Sequence, residues 1–447
     1  MARSDLSAEA AARQPFVYRL LQRLVAVRPE EAHAVFWCWL YIFAVLSSYY
    51  IMRPIREQMG VAGGVNNLKW LFAGTLAGMI LLNLPFAYIV KTLPRSRFIP
   101  LTYRFFAANI LLFAAALALA DPAQTIWIGR IFFVWISVYN LFVVSVFWQL
   151  NVDLFTPEQG KRLFGFIAAG ATIGAMTGSA VTASLARLVS PTTLLIGAAL
   201  LLEVAVFSVG RLARLSPALH RHPAADPAEK AAERPLGGSV IAGISNVVRS
   251  PYLLVVSLFL LLFAITSTFL YVQQAVIAHD NFADRAAQTQ FFGTIDLAVN
   301  TLTLVVSLFL TGRIIARLGI PATLAILPVV TMVGFGALAL APTLAVFAVL
   351  QVTRRAGDYA ITRPTREVLF TVLPREDRYK SKGFIDTVVY RAGDQMGVWA
   401  VSELNKLGAN LAAFCAIGLA AIWLMSALWL GYRQRRLEAV PAPAAGN

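Results

Sequence analysis

The sequence predicts an all-α integral membrane protein whose twelve transmembrane helices form two six-helix pseudo-repeat bundles. Three observations carry this expectation. Of 447 residues, 58% are hydrophobic and only 14% charged, with a mean hydropathy of +0.69; soluble domains carry roughly 25% charged residues. Apolar runs recur about a dozen times, and most exceed the ~18 residues that cross a hydrocarbon core. Two segments in different halves of the chain also repeat one pattern, Tyr49–Glu57 (YYIMRPIRE) and Tyr359–Glu367 (YAITRPTRE). A single anchor on a water-soluble domain is excluded, because no sizeable polar segment remains.

The apolar runs place spans near 34–57, 67–90, 99–120, 124–152, 163–187, 191–212, 250–278, 288–312, 320–341, 343–373, 383–405 and 408–432. The expected organisation is an N-terminal tail (1–33), a first six-helix bundle (34–212), a linker (213–249), a second bundle (250–432) and a tail (433–447). The linker is rich in Pro, Ala and charge. Within the first tail, FVYRLLQRLVAV reads as a short basic amphipathic helix suited to a membrane surface, and no signal-peptide cleavage pattern precedes it.

The net charge of +15 does not point to nucleic acid, because the cations sit in short loops between apolar runs. Lys91, Arg95, Arg97, Lys161, Arg162, Arg313, Arg317, Arg375, Arg378, Lys380 and Lys382 share one side, and the opposite loops hold scattered cations such as Arg187, Arg285 and Lys406. The positive-inside rule then places both termini in the cytoplasm, and a bacterial inner membrane is the expected location. The two cysteines, Cys38 and Cys415, lie far apart in apolar segments and predict neither a disulfide framework nor a zinc site.

The two copies of Y-x-I-x-R-P-x-R-E fall in spans 1 and 10. A second pair, TPEQGKRLFGFI after span 4 and PREDRYKSKGFI after span 10, follows the same period. In transporters built of parallel halves, each made of inverted three-helix units, spans 1, 4, 7 and 10 are equivalent and line the central cavity. Their polar content fits. Span 1 carries Arg53, Arg56 and Glu57; span 4 Arg130, Asn140, Gln149, Asn151 and Asp153; span 7 Gln273 and Gln274; span 10 Arg354, Arg355, Asp358, Arg363, Arg366 and Glu367. Seven Arg stand against four acids in that set, and each charge at mid-bilayer costs about 2.5–3.5 kcal/mol or more unless it faces water, a partner or a ligand.

Excess guanidinium suits a small anionic, phosphorylated substrate, because the planar fork donates two aligned hydrogen bonds to phosphate oxygens. Within R-P-x-R-E the two Arg lie three apart on one face, with the Glu beside the second rather than under it, so both forks can grip one phosphate chain. The substrate-binding candidates are Arg53, Arg56, Gln149, Asn151, Gln273, Arg355, Arg363 and Arg366. Interhelical salt bridges of these Arg with Glu57, Asp153, Glu367 or Asp358 are the competing reading, and gate pairs broken by substrate reconcile the two. The expected gates are an outer one at spans 1 and 7 and an inner one at spans 4 and 10.

Asp296 in span 8, and Asp386, Tyr390, Arg391 and Asp394 in span 11, are further polar groups that lipid would penalise. Asp386, Tyr390 and Asp394 fall at spacing four on one stripe. Their carboxylates are candidates for proton coupling, with an internal pair between Arg391 and a nearby acid as the plainer reading. The gating or coupling candidates are thus Glu57, Asp153, Asp296, Asp358, Glu367, Asp386, Arg391 and Asp394. Arg104 and Glu203, isolated on peripheral spans, carry no assigned role. Small residues in GFIAAGATIGAMTGSAV let helices approach closely. The sequence has no G-x-x-x-x-G-K-[ST] phosphate loop, and His33, His220, His222 and His279 show no metal spacing. No metal, cofactor or enzyme chemistry is expected.

At these motifs the chain resembles the ATP/ADP translocase, or nucleotide transporter, family of plastids and intracellular bacteria, a distant relative of the major facilitator superfamily. That family ends helix 1 in a pattern like R-D-T-K-D, carries F-W-x-x-x-N-E in helix 4 and D-P-x-K-E in helix 10, and follows with G-K-x-x-I-D. The matching stretches are Arg53 to Glu57, Phe147-Trp148 through Val152-Asp153, Arg363 to Glu367, and Lys382-Gly383 through Asp386. The resemblance implies that Arg56 and Arg366 stand where the family has important lysines, and Asp153 where it has a glutamate. Pro54 departs from the family's acid in helix 1, and Asp394 from its lysine late in helix 11. The resemblance implies a major-facilitator-like fold, a nucleotide as substrate, ATP/ADP exchange by alternating access and no cofactor. The alternative is a proton-coupled carrier of another organic solute that uses the carboxylates of spans 8 and 11. Expected partners are the anionic substrate and membrane lipid, with no nucleic acid, for a monomeric chain.

Overall fold

The computed structural model describes residues 27–92, 95–219, 240–373 and 381–438. The amphipathic stretch of the N-terminal tail, most of the linker, the end of the C-terminal tail, and Arg375, Arg378 and Lys380 lie outside the described residues.

All regular elements among them are helices. In chain order these are α1 (Ala32–Ala62), a 3₁₀ turn (Val65–Asn67), α2 (Leu68–Thr92), α3 (Arg95–Leu119), α4 (Pro122–Leu154), α5 (Pro157–Leu185) and α6 (Pro191–Leu219). The short α7 (Val240–Arg249) precedes α8 (Pro251–Asn281), α9 (Arg285–Phe309), α10 (Thr311–Leu340) and α11 (Leu344–Gly357). A π-turn (Asp358–Thr362) joins α11 to α12 (Arg363–Leu369), and a second (Ile385–Val389) leads into α13 (Tyr390–Leu407) and then α14 (Ala409–Glu438).

Start signals in the sequence set several helix beginnings. Asp121 and Gln124 form a capping box before Pro122, and Thr156 and Gln159 another before Pro157. Each satisfies backbone N–H groups that the first turn leaves unpaired, and proline at the first helical position loses nothing by lacking one. Ser250 caps α8 by accepting from Leu253 N–H and Thr343 caps α11 by accepting from Val346 N–H, each without the reciprocal bond of a capping box. In α10 the backbone leaves the helical region at Gly319 (φ 70, ψ 174), just before Pro321, so its apolar part begins at the predicted 320 after a short preceding helical segment.

Among the described residues, ten helices are long and apolar enough to cross a membrane. Large apolar side chains such as Leu112, Val333, Leu340 and Met425 face outward, an arrangement that lipid covers and water would not. The protein is an integral membrane protein.

The chain divides into two compact units. The first comprises Met1–Met59, Ala77–Asp226 and Arg285–Leu297; the second Gly60–Leu76, Pro227–Asp284 and Ala298–Asn447. The units therefore differ from a simple cut at the linker, since part of α9 joins the first and the start of α2 joins the second.

In the first unit α1 docks on α5 through glycine. A Cβ on Gly174 or Gly178 would run into the carbonyl oxygens of Phe43 and Ser47, and one on Gly170 would stand 2.9 Å from that of Trp39. At spacing four these glycines form one stripe, and Ser47 Oγ donates to the Gly174 carbonyl at 3.1 Å while Thr182 Oγ1 donates to that of Ile51 at 3.2 Å. Also in this unit α3 packs on α6, and the core centres on Tyr41, Tyr103, Tyr139 and Phe147, with Tyr41 donating to Tyr103 at 2.6 Å and Tyr103 to the Val143 carbonyl at 2.7 Å.

In the second unit α8 packs on α13 and α10 on α14. Gly393 and Gly397 again admit the close contact, since a Cβ on either would stand 3.0 Å from the backbone oxygen of Leu261 or Ile265. Phe259, Phe263 and Trp423 fill the core there, and Tyr252 donates to the Leu369 carbonyl at 2.8 Å.

Candidate functional site

The glycine stripe of α5 fixes the turns of α1 that carry the first R-P-x-R-E. Arg53 Nη1 lies 3.2 Å from Asp296 Oδ1 of α9, and its Nε 3.8 Å from Glu57 Oε1. Arg56 Nη1 donates to the same Glu57 oxygen at 3.1 Å, and its guanidinium stacks 4.0 Å from the Phe133 ring centre. Glu57 is thus shared by both arginines, as in the competing salt-bridge reading of the motif. Asp296 and Glu57 are buried, so this is a compact cluster of two guanidiniums and two carboxylates in the first unit.

The second R-P-x-R-E is organised by the π-turns of the second unit. Asp358 and Arg363 are five residues apart, a spacing that an α-helix would splay around its axis. The intervening π-turn widens the coil and brings them onto one face, where Arg363 Nε donates to Asp358 Oδ2 at 3.0 Å and its guanidinium covers Tyr359 at 4.3 Å. Arg366 Nη2 lies 3.3 Å from Asp386 Oδ1, at the start of the other π-turn, and Lys382 Nζ donates to Glu367 at 2.5 Å. Both motifs therefore hold ion-paired arginines, each with at least one carboxylate from outside the motif.

Two polar groups lie farther along. Asp394 of α13 takes Arg391 Nη1 at 3.1 Å and the hydroxyl of Thr268 at 3.4 Å, which is the internal pair anticipated for Arg391. Gln351 donates to Gln274, both buried.

The remaining candidates are more scattered. Gln149 is exposed, Asp153, Gln273 and Arg355 are half-buried, and buried Asn151 donates to its own helix at the Phe147 carbonyl, 2.8 Å away. The expected outer gate drew on spans 1 and 7, whereas the acid meeting Arg53 stands on α9, the eighth predicted span. Arg104 and Glu203 approach to 3.7 Å, both exposed.

Arg354 is the residue the candidate set missed. It is 3% exposed and donates to Thr331 (3.1 Å), Ser267 (2.7 Å), Thr266 (3.0 Å) and the Phe263 carbonyl (3.3 Å). Helical periodicity carries its signal: Phe347, Leu350, Gln351 and Arg354 share the buried stripe of α11.

Outside the membrane-crossing stretches, Glu31 precedes α1 and is 1% exposed. Burial would raise its carboxyl pKa, but the Arg28 backbone N–H, Arg162 and Gln159 all donate to it, and the net shift is downward.

No family model matches the chain. ADP,ATP carrier protein 1 of Chlamydia muridarum (strain MoPn / Nigg) is 24% identical over 343 residues, covering 67% of this chain and 64% of that protein. Its namesake in Chlamydia trachomatis is 23% identical with the same coverage. The chain resembles the ADP,ATP carrier proteins. It spans somewhat under two thirds of the length of those relatives. Among solved structures, a point variant of the nucleoside transporter NupG superposes with a TM-score of 0.60 at 12% identity, over 90% of this chain and 99% of that one. A POT family transporter in complex with a thioalcohol-conjugated peptide gives 0.61 at 12% identity, over 90% and 96%. This ADP,ATP-carrier-like chain therefore shares the all-helical fold of those solved structures.

Proposed function

We propose that the chain is a secondary active transporter moving a nucleotide, in ATP/ADP exchange, or a similar phosphorylated anion by alternating access. The single observation that carries the proposal is the repeated R-P-x-R-E, whose arginines meet Asp296 in one unit and Asp386 in the other. A phosphate offers each fork the same bidentate geometry as a carboxylate, with more negative charge. On binding, it takes Arg53 from Asp296 and Arg366 from Asp386, so that capture of substrate and release of a tether between helices are one event. Arg56 and Arg363 complete the phosphate contacts, and the half-buried Gln273 and Arg355 supply further polar lining. Glu57, Asp153, Asp358 and Glu367 act as the returning counter-charges once substrate leaves.

The printed names of the chlamydial relatives support the choice of substrate. Twelve spans follow if α11–α12 and 381–407 also cross the membrane, the two stretches whose charges and π-turns keep them below the apolar threshold. Equivalent packing of α1 on α5 and α8 on α13, and of α3 on α6 and α10 on α14, supports two pseudo-repeats. The loop cations support a topology with both termini in the cytoplasm, and the reading takes the membrane as a bacterial inner one.

Proteoliposomes test the reading. Labelled ATP enters vesicles preloaded with ADP and not empty ones, and Arg366→Gln abolishes the signal. A second reading, a proton-coupled carrier of another organic solute, draws on buried Asp394 beside Arg391 and Thr268, together with Asp296 and Asp386. Uptake into empty vesicles, driven by an inward proton gradient and lost in Asp394→Asn, would replace the first reading with the second.

A further inference from the structure

A cavity of about 600 Å³ lies in the second unit, and no residue of either arginine motif lines it. Tyr252 at the start of α8, Val372 and Leu373 beyond α12, and Trp429, Arg433 and Arg436 on the last turns of α14 line it. Its depth follows from the helices around it. The membrane-crossing stretch Pro251–Asn281 begins at the cavity, and the stretch Leu411–Leu437 ends there. It therefore stands at the level where hydrocarbon gives way to headgroups. Trp429 and Tyr432, 42% and 61% exposed, are the residue types that settle at that level, apolar in body and polar at one end.

The chemistry of the walls is divided. Arg433 and Arg436 are three apart on one helical face, both exposed, and among the described residues no carboxylate pairs with either. The motif arginines, by contrast, are ion-paired. Beside the two guanidiniums, Val372, Leu373 and the Trp429 ring offer apolar surface. A soluble anion would use the cations and leave that surface bare, whereas an amphipathic anion uses both.

We propose that this cavity is a binding site for an anionic phospholipid, with the phosphodiester between Arg433 and Arg436 and the acyl chains running down beside Trp429. Zwitterionic lipid carries the same phosphate but a compensating cation, so the site discriminates by net charge.

The full-length protein, reconstituted in nanodiscs of phosphatidylethanolamine with a minority of phosphatidylglycerol, tests this by mass spectrometry of the lipid retained after detergent extraction. The wild type retains phosphatidylglycerol beyond its share of the bilayer. Arg433→Gln/Arg436→Gln weakens that association about 30-fold, roughly five-fold for each guanidinium removed, while Arg313→Gln/Arg317→Gln, which removes equal charge elsewhere, leaves it intact. Inorganic phosphate in excess does not displace the lipid. Equal loss in both double variants, or displacement by phosphate, would overturn the proposal. Wild-type protein with no preference for phosphatidylglycerol over phosphatidylethanolamine overturns it without any variant.

Discussion

Replacing Gly174 by alanine tests the packing that positions the first arginine cluster. The added Cβ would collide with the Phe43 carbonyl oxygen and stand 3.0 Å from Phe43 Cα, where carbon atoms prefer about 3.5–4.0 Å. Neither neighbour can turn aside, because both are helical backbone, so α1 must move away from α5 by roughly half an ångström or more. Overpacking of this kind costs about 1–3 kcal/mol. The same shift stretches the Ser47 bond to the Gly174 carbonyl, now 3.1 Å, which adds up to about 1 kcal/mol. The expected destabilisation is therefore about 1–4 kcal/mol. Gly210, at which a Cβ meets nothing within 4 Å, is the control: its alanine variant is neutral or gains up to about 1 kcal/mol from helix propensity. Thermal unfolding of the purified protein, followed by tryptophan fluorescence, measures both. Gly174→Ala melts several degrees below wild type and Gly210→Ala does not. Equal melting of Gly174→Ala and wild type would refute the claim that backbone contact through glycine sets α1.

Other perturbations probe the charged groups. Arg354→Lys loses most of the four acceptors and costs about 2–4 kcal/mol of stability. Arg354→Met costs less, because the Thr266 and Thr331 hydroxyls already donate to their own helix; a milder effect of Lys than of Met in a thermal melt contradicts this. Glu31 has a depressed carboxyl pKa, so its stabilisation is present above the unfolded value and lost as pH falls through the lower folded one. Thermal stability measured downward from about pH 5 falls more steeply for wild type than for Glu31→Gln, and parallel curves would remove Glu31 from the junction of α1 and α5. Asp296→Asn removes the ion pair between Arg53 and α9 and loosens α9 from α1; cysteine crosslinking between those helices becomes slower, and an unchanged rate would show that the ion pair does not tether them.

Much of the fold is legible in the sequence because hydropathy and helix starts are local. Span starts at 122, 157 and 251 are written as a capping residue followed by proline, and the glycine stripe of α5 declares its packing through spacing alone. The π-turns are not legible. Asp358–Thr362 has no periodicity that marks it in advance, yet it decides that Asp358 faces Arg363. Partner choice is also hidden: Arg53 and Asp296 are distant in sequence, and nothing near either names the other. Arg354 is readable, because a charge on the apolar stripe of α11 must find buried acceptors, and only weighing that position against its charge brings it into the candidate set.

The claim that the motif arginines read phosphate is tested most directly by equilibrium binding of adenosine, AMP, ADP and ATP to the purified protein. Affinity should climb with each added phosphate in wild type and flatten across the series in Arg56→Gln/Arg366→Gln. Adenosine binding as tightly as ATP, or an unchanged series in the double variant, would contradict it.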